Sequence, residues 1–394
     1  MRRRRRSVAS SVDAPALTEQ VIAWRRHLHR HPELSYEERE TARFVAETLE
    51  DFDGLEVTRP SDTSVVAHLR TGRPGRTLAL RADIDALPIH EESGVEFASE
   101  RDGVMHACGH DGHTAMLLGA AQELAARTGE LSGELRFLFQ PAEERPPGGA
   151  IELVRAGALD GVDLVVGCHL WTPLPVGQLA AWAGPAMAAS DFFTLVITGD
   201  GGHAALPHTA VDTVAVAAQV ITNLQHVVSR RTDPLQSAVL SVSTFHAGDA
   251  ANVLPGRAEL TGTVRTFDPV LRTRMPELLE NVVRGVTQAH GAAYELDYLM
   301  GYAPVVNDPA VTELVADALH ATDGGEFVEM APLMGGDDFS EYLTEAPGCY
   351  FFVGAGSEEA VATYPHHHPR FRIDERALAV GTRAHVQTAL RILG

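Results

Sequence analysis

With 394 residues the chain is long enough for two domains, so neither disulfides nor a structural metal is needed merely to fold it. Its 53 acidic against 32 basic residues leave a formal net charge of -21, which argues against nucleic acid or an anionic membrane as partner. Cys108, Cys168 and Cys349 are too few and too scattered for a disulfide framework and suit a reducing cytoplasm; no run nears the roughly 20 apolar residues that span a bilayer.

Taken in order, the chain opens on Arg2 to Arg6 without the apolar run a signal peptide needs, so residues 1–15 read as a disordered tail. Residues 17–29 predict a helix stopped by Pro32. Ser35-Tyr36-Glu37-Glu38 has the spacing of a capping box and predicts a second helix running to Glu50. Short apolar runs at 64–69, 77–82, 135–139 and 164–167 then alternate with helical patterns at 111–126 and near Ile151, which predicts an α/β fold. In such a fold a mostly parallel sheet is covered by helices on both faces. From Ala188 the order is strand 192–198, helix 211–229, strands 238–245 and 258–267, helix 270–290 and strand 294–299. This β-α-β-β-α-β pattern is the ferredoxin-like split unit, a small domain inserted in the chain. A helix at 311–320, a run at 350–353 and a last helix at 374–393 follow. The expected division is a catalytic domain of residues 16–187 and 302–394, and an inserted domain of residues 188–301.

Chemistry concentrates in His106-Ala107-Cys108-Gly109-His110-Asp111-Gly112-His113-Thr114, where imidazoles and a thiol stand two to three residues apart with glycines between them. Such donors suit zinc, and nearby carboxylates widen the choice to manganese, cobalt or nickel. Asp83 and Asp85 follow one predicted strand, Glu143 and Glu144 in Gln-Pro-Ala-Glu-Glu follow another, and His169 ends a third. Each therefore falls at a strand's carboxyl end, where open α/β sheets build their sites. One of the aspartates can hydrogen-bond a ligand histidine. Adjacent Glu143 and Glu144 point different ways, which suits one to a metal and the other to moving a proton. His366, His367 and His368 form a second cluster. Arg265, ending a strand, is a natural fork for a substrate carboxylate, and Asn252 is a second candidate for it.

Together these stretches resemble, in the right order from about residue 27 to Arg376, the aminoacylase/carboxypeptidase family of metallopeptidases. The similarity is greatest to its amidohydrolase branch of hippurate hydrolases and indole-acetyl-amino-acid hydrolases; Cys-Gly-His-Asp-Gly-His and Gln-Pro-Ala-Glu-Glu are the specific motifs. The resemblance implies that Cys108, His110, Glu144, His169 and His367 bind two divalent metal ions, with zinc or manganese favoured. His367 is preferred because it stands two residues before a proline, and His366 and His368 stay open. It also implies Glu143 as general base, Asp83 as orienting aspartate and His203 as donor to the oxyanion. Where the carboxypeptidase branch has a ligand histidine this chain has Arg81, and Cys108 with His110 makes up the difference. The implied reaction is cleavage of the amide of N-acyl amino acids by metal-activated water, in a cytoplasmic homodimer joined through the inserted domain, which also serves as a lid. The alternatives are a dipeptidase or N-acetyl-diaminopimelate deacetylase with the same centre, a cysteine hydrolase using Cys108, and an inactive metal-binding scaffold.

Overall fold

The computed structural model describes residues 14–357 and 364–394, so the arginine-rich start and all but two residues of the expected tail lie outside the described residues. Those two, Ala14 and Pro15, belong to the first helix, Ala14–Arg30. The chain forms two compact units, one of Met1–Gly184, Val306–Ala331 and Glu341–Gly394, the other of Pro185–Val305 and Pro332–Ser340.

The first unit is built on an eight-stranded sheet. Its order is Leu55–Thr58, Val65–Arg70, Glu134–Gln140, Thr77–Asp83, Leu164–Pro175, Gly348–Gly356, Gln178–Ala180 and Glu326–Phe327. The central strands pair in parallel, Thr77–Asp83 lying between Glu134–Gln140 and Leu164–Pro175, and Gly348–Gly356 beyond the latter. Helices cover both faces, so central strands are buried throughout; Gly348–Gly356 has every residue buried. The helix His110–Ala126 is likewise buried nearly all round, and reads as apolar on every face for that reason. The helix Arg39–Glu50 has one apolar stripe of Ala42, Val45, Ala46 and Leu49 and lies at the surface of the same core.

The capping box does not form. Helix Arg39–Glu50 has Glu38 at its N-cap with no side-chain cap bond. Ser35 Oγ instead donates to Asp85 Oδ2 at 2.7 Å, and Glu38 Oε1 accepts from the N–H groups of Tyr36 and Ala142. Tertiary partners have taken the groups that the local motif would use.

The second unit has the β-α-β-β-α-β order expected. Its antiparallel sheet runs Ala238–Ala247, Arg257–Thr266, Ala189–Thr198, Ala293–Tyr302. Alternate residues Phe193, Leu195 and Ile197 of the Ala189–Thr198 strand face a core shared with helices Thr213–His226 and Pro269–His290. Asp212 and Asp268 cap these helices by accepting from Ala215 and Leu271 N–H. The segment Pro332–Ser340, expected in the catalytic domain, joins this unit instead. Leu333 donates to Ala186 O at 2.9 Å, and Leu333 O accepts from Ala188 at 3.0 Å, which makes an isolated parallel bridge beside Met187.

Candidate metal centre

Three parallel strands at the centre of the first unit's sheet deliver the site to their carboxyl ends. Asp83 pairs with Gln140 across Thr77–Asp83 and Glu134–Gln140, which sets the Asp83–Asp85 turn beside the Pro141–Glu144 turn. His169 lies within Leu164–Pro175, a strand that continues well past the apolar run that announces it. Gly109, at φ 97° before the helix His110–Ala126, turns the chain so that Cys108 and His110 flank the helix start.

The histidine hydrogen bonds fix which nitrogen is left over. His110 Nδ1 lies 3.0 Å from the carbonyl of Asp85 and 3.2 Å from its Oδ1; a carbonyl only accepts, so Nδ1 is the donor there and Nε2 is the nitrogen left to face a cation. His169 Nδ1 donates to Leu170 O at 2.7 Å in the same way, leaving Nε2 3.5 Å from Cys108 Sγ. Cys108, His110 and His169 have donor atoms within 4.8 Å of one another, and so do Cys108, Glu144 and His367. Two triads thus share the Cys108 sulfur. His367 Nε2 and Glu144 Oε1 are 3.2 Å apart without the angles of a hydrogen bond. Among the described residues, His110 Nε2 and Glu144 Oε1 are buried with no hydrogen-bond partner. Orphaned donors of this kind, converging with a thiol and carboxylates, fit a pair of divalent cations.

The electrostatics agree. Burial alone would keep His110 neutral, but Asp83, Asp85 and Glu144 around it raise it to about 10, so that without a cation this carboxylate-rich cluster holds a proton on the ring that a bound cation would displace. Burial and then His113 and His366 hold His169 well below the ordinary histidine range, ready to act as a neutral ligand. Burial, followed by Glu144, Glu143 and Asp83, pushes the Cys108 thiol far up, which makes it a poor free nucleophile. A cation at the sulfur would invert that and draw out the thiolate.

The three adjacent histidines separate by their contacts. His366 Nε2 meets Leu170 O at 2.9 Å and its ring stacks on Trp171; His368 Nδ1 accepts from Arg370 N–H and its ring stacks on Tyr364. His367, with a left-handed backbone at φ 65° and its N–H on Ala107 O, faces Glu144.

Asp83 and Asp85 divide their work. Asp83 is fully buried, bonded to Arg81 Nη1 at 2.6 Å and to His113 Nδ1 at 2.6 Å; burial opposes its charge, but His110, Arg81 and His113 hold it well below the usual carboxylate range. Its nearest approach to a ligand nitrogen, His110 Nε2, is 3.8 Å. Asp85 makes the direct contact with His110 and also accepts from Glu144 N–H at 3.1 Å. His113 is used at both nitrogens, since its Nε2 accepts from Leu170 N–H at 2.9 Å, and so has no lone pair for a metal. Arg81 spans Asp83 and Gln140 Oε1, filling the position where a ligand was expected to be missing. Sequence reading left the parts of Asp85, His113 and Glu38 unassigned.

Glu143 is buried, with Oε2 3.9 Å from His110 Nε2, so the expected base and all five expected ligands are brought together. His203, Asn252 and Arg265 lie in the second unit. His203 sits on a two-residue ribbon paired with Val253–Leu254, and Ala204 N–H donates to Asn252 O at 3.0 Å. Both side chains are exposed, and His203 Nδ1 accepts from Ala205 N–H, which leaves Nε2–H as donor. Arg265 is on the strand Arg257–Thr266, its guanidinium 5.8 Å from the Phe192 ring.

A cup of thiol, imidazole and carboxylate donors at the carboxyl ends of central strands, with a buried glutamate beside it, defines a metal-dependent hydrolase class. The family model of peptidase family M20/M25/M40 matches residues 79–391, and the chain belongs to that family. It is 58% identical over 287 residues, 73% of this chain and 78% of the relative, to an N-acyl-L-amino acid amidohydrolase of Geobacillus stearothermophilus. To thermostable carboxypeptidase 2 of Saccharolobus solfataricus it is 40% identical over 383 residues, 96% and 97% of the two chains. A dinuclear metal binding peptidase of Bacillus subtilis superposes with a TM-score of 0.83 at 37% identity, covering 96% of this chain and 99% of that one.

Proposed function

We propose that the chain is a two-metal amidohydrolase that cleaves N-acyl amino acids to a carboxylate and a free amino acid, and that zinc or manganese is the native ion. The observation that carries this is the pair of donor triads sharing Cys108 with Glu143 beside them. The 58% identity to an N-acyl-L-amino acid amidohydrolase supports the substrate class. Cys108, His110, Glu144, His169 and His367 would hold the ions, which when bound supply Lewis acidity to a carbonyl and to water. Glu143 takes the proton of the attacking water and hands it to the departing amine. Asp85 and the Leu170 carbonyl keep the ligand imidazoles in the tautomer that leaves Nε2 free, and Asp83 stabilises the buried frame behind them. His203 would donate its Nε2–H to the developing oxyanion, and Asn252 and Arg265 would take the substrate carboxylate. The second unit would act as lid and as the contact of a cytoplasmic homodimer. Its edge strands, Ala238–Ala247 and Ala293–Tyr302, expose Phe245, Leu299 and Met300.

The test is release of free amine from N-acetyl and N-benzoyl amino acids beside dipeptides, with metal-loaded and chelated protein in parallel. Chelator-sensitive release from acylated amino acids is expected; activity confined to dipeptides moves the substrate to the reading that the carboxypeptidase relative favours. Glu143→Gln is expected to keep its metal content and lose turnover by orders of magnitude, as measured by kcat beside elemental analysis. Retained turnover would remove Glu143 as the base.

A further inference from the structure

Among the described residues only three non-glycines take a left-handed backbone: Tyr36 at φ 70°, Ala142 at φ 51° and His367 at φ 65°. Such residues persist only where their surroundings hold them. His367 is a candidate ligand, and Ala142 directly precedes Glu143 and Glu144. Tyr36 is remote in sequence and has no part in the chemistry. It is nonetheless tied to Ala142 through one atom, because Glu38 Oε1 accepts from Tyr36 N–H at 3.0 Å and from Ala142 N–H at 2.8 Å.

The bonds around this atom form a brace. Ala86 N–H donates to Glu33 O at 2.8 Å, Leu34 and Ala86 form a parallel bridge, and Ser35 Oγ holds Asp85. Tyr36 Oη donates to Arg145 O at 3.2 Å and accepts from Gly148 N–H at 3.1 Å. The stretch from Glu33 to Glu38 therefore grips both the Asp85 turn and the turn that carries Glu143 and Glu144. Glu38 itself is 0% exposed and makes no cap bond to its own helix. Its Oε2 is buried without a partner among the described residues, a cost that an apolar residue serving only to pack would avoid. Burial, then the neighbouring Asp85, pushes this carboxyl up to about 8, against the lowering effect of the N–H groups it accepts. Near neutral pH its part is that of an acceptor more than of a charge.

We propose that Glu38 is a positioning residue for the catalytic base: by accepting both N–H groups it holds Ala142 in the left-handed turn that presents Glu143. This rests on the reading of Glu143 as the base. Once Oε1 is removed, a buried N–H at a strained residue has no partner, and the turn relaxes toward ordinary backbone. Misplacing a proton-transfer group by a fraction of its reach lowers turnover by up to about 100-fold.

The test compares E38A, E38Q and E38D as metal-loaded full-length protein, with kcat and KM on an acylated amino acid, metal content, and amide hydrogen exchange over residues 140–146. E38A is expected to lower kcat by about 10- to 100-fold with KM within about twofold, to retain its metal, and to exchange faster in that segment. E38Q keeps the acceptor in place and is expected to restore both kcat and slow exchange. E38D keeps the acid but withdraws it by one methylene and is expected to be impaired, so the Gln and Asp pair decides the matter should E38A fail to fold. An E38A enzyme with full turnover, a Gln variant as poor as the Ala one, an active Asp variant beside an inactive Gln one, or metal lost in step with kcat would each overturn the proposal. The exchange rates do not depend on turnover. Unchanged exchange in E38A overturns the brace even with Glu143 secure as base, whereas a fully active Glu143→Gln removes the base and leaves the exchange result standing.

Discussion

Two carbonyl oxygens, those of Asp85 and Leu170, decide which nitrogen His110 and His169 leave for a cation, and neither is visible as chemistry in the sequence. The residue types were legible, because a thiol, imidazoles and paired carboxylates at close spacing have few other uses. Their partners were less so. Ser35 and Glu38 have capping-box spacing, yet they bond Asp85 and Ala142, 50 and 104 residues away, and a local motif cannot report competition from that distance. The choice among His366, His367 and His368 likewise depends on a backbone turn at His367 and on ring stacking by its neighbours. Asp83 is the residue whose loss should be felt most in the fold. Asp83→Ala leaves the buried Arg81 guanidinium without its nearest counter-charge, and a destabilisation of about 3–5 kcal/mol is expected in chemical unfolding of metal-free protein. A change below about 1 kcal/mol would mean that Gln140 and the Tyr350 hydroxyl, 3.5 Å from Arg81 Nη1, satisfy Arg81 without it.

At the scale of elements, the order of strands and helices was legible because each long segment keeps its own period. Helices Thr213–His226 and Pro269–His290 also announce their starts with Asp212 and Asp268. The short elements escaped, among them the strands Leu55–Thr58, Gln178–Ala180 and Glu326–Phe327 of the eight-stranded sheet, and one long strand was legible only at its start. The ribbon Gly202–His203 with Val253–Leu254 is too short to show alternation, and Leu164–Pro175 is interrupted by the buried polar Cys168 and His169, so its apolar run breaks off early. Packing between the helix His110–Ala126 and this strand leaves no room at Gly112, where an added Cβ would come within 2.4 Å of Leu170 Cδ1. Gly112→Ala is expected to cost about 1–3 kcal/mol, as overpacking does. Because Leu170 also holds His113 and His169 through its amide and carbonyl, metal affinity should fall with stability. Isothermal titration with zinc checks the second half; an unchanged affinity would show that the strand yields without moving His169.

For the whole molecule, buried neutral histidines make stability sensitive to mild acid. Burial pulls His106 down to about 4 and His385 to about 3. Unfolded, both titrate near about 6.5, so between there and their folded values the unfolded chain binds more protons. Their contribution is fully present above about pH 6.5 and is lost as pH falls toward 4. His385 Nε2 meets Cys168 Sγ at 3.2 Å, and its ring packs edge-on to Phe351. His385→Phe is therefore expected to gain stability relative to wild type as pH is lowered from 7 to 4, read from melting temperatures of the two proteins. A constant offset between them would show that His385 does not carry the effect.

Strand Gly348–Gly356 pairs in parallel with Leu164–Pro175, and the residues of the inserted unit are strung between them. On a ribosome, the centre of the sheet stays open until that unit has been synthesised, and long-range parallel pairing of this kind closes slowly. A nascent chain halted before residue 367 carries four of the five candidate ligands and lacks the fifth, His367. On the proposed ligand set, a chain halted there is expected to hold metal less firmly than one that includes His367.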